Sequence, residues 1–285
     1  MKKIALMCDS SADITKEEAT TLGIHVLRMP VIIEGQEYIE EETIQDADII
    51  QAIKDGKSIK TAQPIIGSLT GMWDELLESY DQVFYIPLAK ALSGTCTTAI
   101  NLSKYDKYEG KVFVLDSDFV CYPVVEMLKT AKDMFSKGYT CAEVKEKIEK
   151  EGELFAILIP ESLTALKNGG RISPAAAALA GLLKIHPLLK VDHGSIDLVD
   201  KVRTLKKAYK EGIDVVLKDV NPEDYEWMII DADNRKVSDE LKVMLEEATG
   251  QPVSQQIFKA VILSHAGPGT IGFGRIRKIR YEDKK

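Results

Sequence analysis

The segment VFYIPLAKALSGTC, residues 83–96, decides the fold. It pairs an apolar strand-like run, VFYIPL (83–88), with a small polar loop, Leu92-Ser93-Gly94-Thr95, that opens a helix. In α/β proteins the loops that follow strands carry the ligand groups. A hydroxyl and a glycine at the mouth of a helix offer an O–H and several unpaired N–H groups, and the helix end adds partial positive charge, so an anion is favoured there. Ser93 read alone is first an N-cap, and it reads as part of a site only in concert with the other loops.

Two further loops share this chemistry. Thr61-Ala62-Gln63-Pro64 leads into a helix, and Pro64 pushes Gln63 toward an extended backbone. Ser264-His265-Ala266-Gly267-Pro268-Gly269 follows the run AVILS (260–264), which reads as another strand with His265 at its end. An imidazole there can donate to a carboxylate, whose charge would favour the protonated ring. His25, His186 and His193 read as surface or packing residues. Together the three loops supply hydroxyls, an N–H and an imidazole with little bulk, which suits a carboxylate or a phosphate.

Around these loops the chain alternates strand and helix. Strands are expected at 4–9, 25–33, 83–88 and 111–116, with helices at 67–79, from about 94, and over about 122–136 and 140–150. That order implies a parallel sheet. From 154 the pattern changes. A strand at 154–160, a polar loop at 167–171 and an Ala-rich helix at 174–182 are expected. Strands at 185–191 and 196–202 follow, joined through Asp192-His193-Gly194 as a hairpin. Helices at 204–218 and 235–248 flank a strand at 226–231. The fold class is therefore α/β in two domains: residues 1–152 as a parallel α/β/α domain, and 153–285 as an α+β domain with a mixed sheet.

The chain has 285 residues, 45% hydrophobic and 29% charged, with a net charge of −8. The acidic balance argues against general nucleic-acid binding. Cys8, Cys96, Cys121 and Cys141 form no CxxC and no metal-finger spacing, and read as reduced thiols of a cytoplasmic protein. The apolar start, Ile4 to Cys8, is too short for a signal peptide, and Ala175 to Ile185 is too short for a membrane span. No P-loop is present; Gly169-Gly170-Arg171 is a Gly-rich turn whose guanidinium can grip an anion bidentately. Arg203 opens a helix against its dipole, which an ordinary surface ion pair explains and which also hints at an external acidic partner. Asp9 beside Ser10 and Ser11 either binds a metal or organises the neighbouring loop, and the second reading fits the anion-binding groups better.

The motifs DSSADIT, TAQP, ALSGT, LDSD (115–118), ESLTALKNGGRIS (161–173), IHPLLKVDHGSI (185–196), VRTLKKA (202–208) and SHAGPG occur in the order seen in the DegV family, which the chain resembles over nearly its whole length. The resemblance implies a two-domain fatty-acid-binding protein, similar to the acyl-carrying FakB subunit of the bacterial two-component fatty acid kinase. It implies that Thr61, Ser93, the Gly94 backbone and His265 hold the carboxylate, and that Arg171 and Arg203 serve partner docking or phosphoryl transfer. It implies no cofactor and no metal, only a ligand such as palmitate, stearate or oleate, with an ATP-dependent kinase subunit as partner. Neither nucleic acid nor stable membrane insertion is implied, only transient membrane contact. The family's common TSQPS is here TAQPI, where Ala62 and Ile66 or its neighbours replace hydroxyls, and its SSGLSGT is here LAKALSGT, with Lys90 and Ala91. Apolar helices such as 67–79 and 174–185 are expected to line the acyl tunnel. Two other readings compete. One is a serine-type hydrolase using Ser93 and His265, which lacks a G-x-S-x-G elbow. The other is a relative of kinases that bind dihydroxyacetone through a histidine.

Overall fold

A computed structural model describes residues 2–182 and 185–284. Its first half is built on β1 (Ile4–Asp9), α1 (Lys16–Leu22) and β2 (Ile24–Leu27), which form a right-sized β-α-β unit. Thr15 caps α1 through its side chain, and Gly23, at φ 70°, closes it. The chain then enters a small antiparallel sheet of β3 (Pro30–Ile33), β4 (Gln36–Ile39) and, after α2 (Asp46–Lys54), β5 (Ile59–Thr61), in the order β4-β3-β5. The single strand expected at 25–33 is thus two strands in two sheets. Arg28 turns aside to pair with Glu40 at 2.7 Å, the Met29 N–H donates to Ser10 Oγ at 2.9 Å, and Pro30 has no N–H to continue a ladder.

After α3 (Ile66–Ser79), strand β6 (Gln82–Ile86) returns beside β1, followed by α4 (Thr95–Ser103) and β7 (Val112–Val114). The order β2-β1-β6-β7 is parallel throughout, as the alternation implied. Strand β6 is buried at every position, which is why it reads as a continuous apolar run. Helices α5 (Pro123–Ser136) and α6 (Cys141–Glu151) complete this half; Pro123 starts the first, and a Thr140–Glu143 capping box starts the second.

The second half is a mixed sheet. It comprises β8 (Leu154–Ile159), α7 (Thr164–Gly169), α8 (Pro174–Ala177), β9 (His186–Asp192), β10 (Ser195–Val202), α9 (Leu205–Leu217), β11 (Tyr225–Asp231), α10 (Arg235–Thr249), β12 (Val253–Ile257), α11 (Ala260–Ala266) and β13 (Ile271–Arg277). The strand order is β10-β9-β8-β13-β11-β12, parallel only between β11 and β12. The expected hairpin is present: His193 (φ 47°) and Gly194 (φ 68°) turn β9 into β10.

Three expectations fail here. The run AVILS is helix α11, not a strand. A five-residue apolar run carries no periodicity to separate the two, and the N–H groups of Lys259 and Ala260 are met by the carboxylates of Asp13 (2.9 Å) and Glu40 (2.8 Å). The strand of this region is instead β13, beyond the GPG turn. The polar segment 167–171 is largely the end of α7, closed by Gly170 at φ 67°. The helix expected at 174–182 stops at Ala177. Beyond it Leu179, Ala180 and Leu182 each bond three residues back, so the chain tightens into turns; residues 183 and 184 lie outside the described residues.

The largest core cluster draws on both halves, from Cys8 and Phe84 to Leu189 and Ile230. A second cluster fills the other face of the mixed sheet, where α9 and α10 pack on Trp227, Ile229 and Phe273. There Gly212 of α9 is demanded by close approach, because a Cβ would stand 2.5 Å from the ring of fully buried Phe273. Gly212→Ala is therefore expected to lose about 1–2 kcal/mol, the overpacking outweighing the gain in helix propensity. The check is a lower urea midpoint, whereas a helix interior without this contact would gain stability.

Candidate functional site

The parallel sheet reverses its winding between β1 and β6, so the crevice at the carboxyl ends of those two strands is where such sheets receive ligands. Asp9 ends β1 there. Its buried carboxylate accepts from the Ser11 N–H (3.1 Å), the Leu88 N–H (2.9 Å), the Tyr85 hydroxyl (3.2 Å) and the Ser11 hydroxyl. Burial pushes Asp9 above the usual carboxylate range, and these bonds oppose it. Asp9 organises the loops after β1 and β6, as the residues suggested.

Ser93 lies in the loop after β6, just ahead of α4. Its Oγ accepts from the Thr95 N–H at 3.2 Å and stands 2.9 Å from Thr95 Oγ1, while Gly94 is the N-cap residue of α4. A Cβ on Gly94 would meet Gln63 Oε1 at 3.0 Å, so glycine lets the TAQP loop come close. Thr61 ends β5, and its Oγ1 lies 2.7 Å from His265 Nε2, across 204 residues of chain. His265 sits in the last turn of α11 rather than at a strand end. Its Nδ1 is buried with no partner among the described residues, and faces Gly169, where a Cβ would stand only 2.3 Å away. Arg171 follows that glycine; its Nε donates to Leu92 O at 3.3 Å, and it also bonds Gly169 O. Thr61, Gln63, Ser93, Arg171 and His265 thus form one contiguous polar group. Arg203 does not join it: it lies exposed between β10 and α9.

These five residues line the end of an otherwise apolar cavity of about 130 Å³. Leu88, Leu92, Val120 and Cys121 line one side, and β8, β11, β13 and α11 the other. Its floor follows the pleat of the mixed sheet. The cross-strand row Ile196, Val191, Ala156, Gly274, Met228 has its two smallest residues at the centre. The next row places Gly272 between Leu158 and Ile230. A Cβ on Gly274 would meet Ala156 Cα at 2.5 Å, so only glycine fits there. The floor runs along six-residue β8, which spans about 17–20 Å.

Neither α3 nor the described residues of 174–182 line the cavity, contrary to expectation. The walls come instead from strands β8, β11 and β13 and from α11; Leu154, Ala156 and Leu158 sit in a continuous apolar run, which hides the side that faces the cavity. Gln63 was the missed polar residue. The hydrolase geometry is not formed: Ser93 Oγ pairs with Thr95, and His265 Nε2 with Thr61.

Burial first, and the Arg171 charge second, hold His265 down at about 4, so the ring is neutral here rather than protonated. A histidine depressed on folding takes up its proton more readily when unfolded. Its contribution is therefore complete above pH 6.5 and is lost as pH falls toward 4, a change on the order of 3 kcal/mol. Denaturant titrations at pH 7.5 and 4.5 are expected to show this loss, and His265→Gln to shrink the difference between the two; equal differences would assign the acid sensitivity elsewhere.

The model of the DegV family, described as uncharacterised protein, matches residues 3–278. A DegV domain-containing protein of Streptococcus pyogenes is 30% identical over 277 residues, covering 95% of this chain and 98% of its own. One from Staphylococcus aureus is 28% identical, covering 98% and 100%. Among solved structures, a DegV family protein from Thermus thermophilus, described by its fatty acid binding, superposes with a TM-score of 0.84 at 26% identity, over 97% of this chain and 99% of that one. A DegV lipid-binding protein from Thermotoga maritima gives 0.83 at 27%, over 98% and 100%. The DegV fatty acid binding protein of Bacillus subtilis gives 0.81 at 27%, with the same coverage. With the order of motifs, the reversal of the parallel sheet and this likeness in agreement, the chain belongs to the DegV family.

Proposed function

We propose that this chain binds a long-chain fatty acid and presents its carboxylate to a separate ATP-dependent kinase subunit, which forms the acyl phosphate. The observation that carries the reading is a single cavity, apolar along its floor, with five contiguous polar side chains at one end. Burial of hydrocarbon supplies about 0.8 kcal/mol per methylene, on the order of 10 kcal/mol for a C16 chain. A carboxylate taken out of water needs donors. The Thr61 and Ser93 hydroxyls, the Gly94 N–H and His265 are the proposed donors, with Arg171 and Gln63 beside them. The floor, about 17–20 Å long, suits an extended acyl chain. The fatty-acid-binding descriptions of the Thermus, Thermotoga and Bacillus proteins support the same ligand class.

The carboxylate would raise the depressed His265, so binding near neutral pH is accompanied by proton uptake. The exposed Arg203 is assigned to partner docking, and Arg171 to the head group or phosphoryl transfer. The proposed boundary between domains is at residues 152 and 153, so the ligand lies between them, in a cytoplasmic protein. No helix among the described residues is long and apolar enough to cross a membrane.

Denatured protein from a bacterial host is expected to release palmitate, stearate or oleate in mass spectrometry. Thr61→Val with Ser93→Ala is expected to weaken rebinding by about tenfold or more, the loss of two hydrogen bonds to a charged group. No bound lipid, and no uptake of added oleate or palmitate, would sink the reading. Arg203→Ala is expected to keep lipid affinity and lower acyl phosphate formation with the kinase. Loss of lipid binding in that variant would overturn the division of roles.

A further inference from the structure

The chain crosses between its halves twice, side by side. The first crossing is Gly152–Glu153, joining α6 to β8. The second leaves β13. Lys278 N bonds Asp224 O at 2.9 Å, and Arg280 pairs with Asp224, so this stretch is fixed to the second half. Ile279 is buried in the shared core. The chain then reaches the α5–α6 corner of the first half. Tyr281 donates to Asp133 at 2.8 Å, Tyr139 donates to Glu282 O at 3.0 Å, and Lys284 N bonds Lys137 O at 3.2 Å. The rings of Tyr139 and Tyr281 meet edge to face, 6.1 Å apart. Lys137 lies over Tyr281, and Lys284 over Tyr139. Lys284 also pairs with Glu143. The family match ends at residue 278, so residues 279–284 lie beyond it.

Two covalent crossings side by side restrict the halves to bending about the line that joins them, and such bending must also release the contacts of α11 with Asp13, Glu40, Asp46 and Thr61. Both crossings border one polar cleft, lined by Gly152, Glu153, Lys278 and Arg280. Leu154, at the start of β8, borders this cleft and also the apolar cavity. The polar group of Thr61, Ser93 and His265 lies toward the opposite end, past which β8 runs on to α7 and Arg171. Bending at the crossings therefore displaces the polar end most. We propose that segment 278–284 is a clasp that confines the halves to this one bending motion, and that its hold on the α5–α6 corner sets how fast the cavity opens at its polar end to exchange ligand.

The ligand part of this proposal rests on the fatty-acid reading, so the experiment has an arm that does not. In lipid-stripped protein, Tyr281→Ala with Lys284→Ala is expected to speed hydrogen–deuterium exchange in β8 and α11, neither of which holds a substituted residue. Unchanged exchange there overturns the clasp whatever the ligand is. The second arm uses Gly138→Cys with Lys284→Cys. A Cβ on Gly138 would lie 3.6 Å from Lys284 Cβ, within the about 3.5–4.5 Å that a disulfide spans, and the four native cysteines are buried. Gly138 has φ 91°, so any strain is common to the oxidised and reduced forms of this one variant. Oxidation is expected to slow transfer of cis-parinaric acid to phosphatidylcholine vesicles by about fivefold or more, with reduction restoring it. Equal rates in the two forms overturn the clasp as the control on exchange. If the unaltered protein takes up no cis-parinaric acid, the fatty-acid reading fails and the exchange arm alone decides the clasp.

Discussion

The short helix Ala260–Ala266 is held at both ends by groups from the other half of the chain, and the cavity depends on that hold. At its start, the carboxylates of Asp13 and Glu40 accept from the N–H groups of Lys259 and Ala260, and Lys259 Nζ pairs with Asp46 at 2.9 Å. At its end, His265 meets Thr61. Seven residues cannot sustain a helix alone; this one exists because its first N–H groups find buried acceptors and its side chains face a core on nearly every side. Val261, Ile262 and Ala266 thereby become one wall of the cavity.

The same arrangement sets the charge at the polar end. Arg171 stands close enough to depress His265, and two of its N–H groups, on Nε and Nη1, bond the carbonyls of Leu92 and Gly169. The guanidinium thus ties the Gly-rich turn to the loop after β6 and contributes positive field near the hydroxyls. Burial of a neutral imidazole with an orphaned Nδ1 is costly in a resting structure. Such costs cluster at functional sites rather than in structural cores.

Much of this was legible in the sequence. The parallel sheet followed from buried runs such as VFYIP alternating with amphipathic helices, and the hairpin from Asp192-His193-Gly194. The grouping of Thr61 and Ser93 was reachable because small polar loops after strands carry a recognisable chemistry, whereas His265 was singled out on a strand that is in fact helix α11. What was not legible were features fixed by tertiary partners. AVILS is a helix because distant carboxylates cap it, and 25–33 breaks because Arg28 and Met29 find partners elsewhere in the fold. The cavity walls escaped notice because the residues that shape the floor, Ala156, Gly272 and Gly274, matter for what they lack, and smallness carries no periodic signal. Arg203 stands apart from the polar group for a similar reason: helix-start geometry says nothing about which surface a residue faces.

The hollow above β13 is cut by main chain, not by side chains. Phe273 and Arg275 turn to the opposite face, where Arg275 lies over the rings of Phe155 and Tyr225. Rotamer changes can close a gap between side chains, but a backbone laddered on both sides cannot swing inward to fill one. The depression is consequently a permanent contour of the sheet, retained by any state in which β8, β13 and β11 stay paired. Side-chain motion alone therefore leaves the berth's shape unchanged, and the molecule never has to remake it.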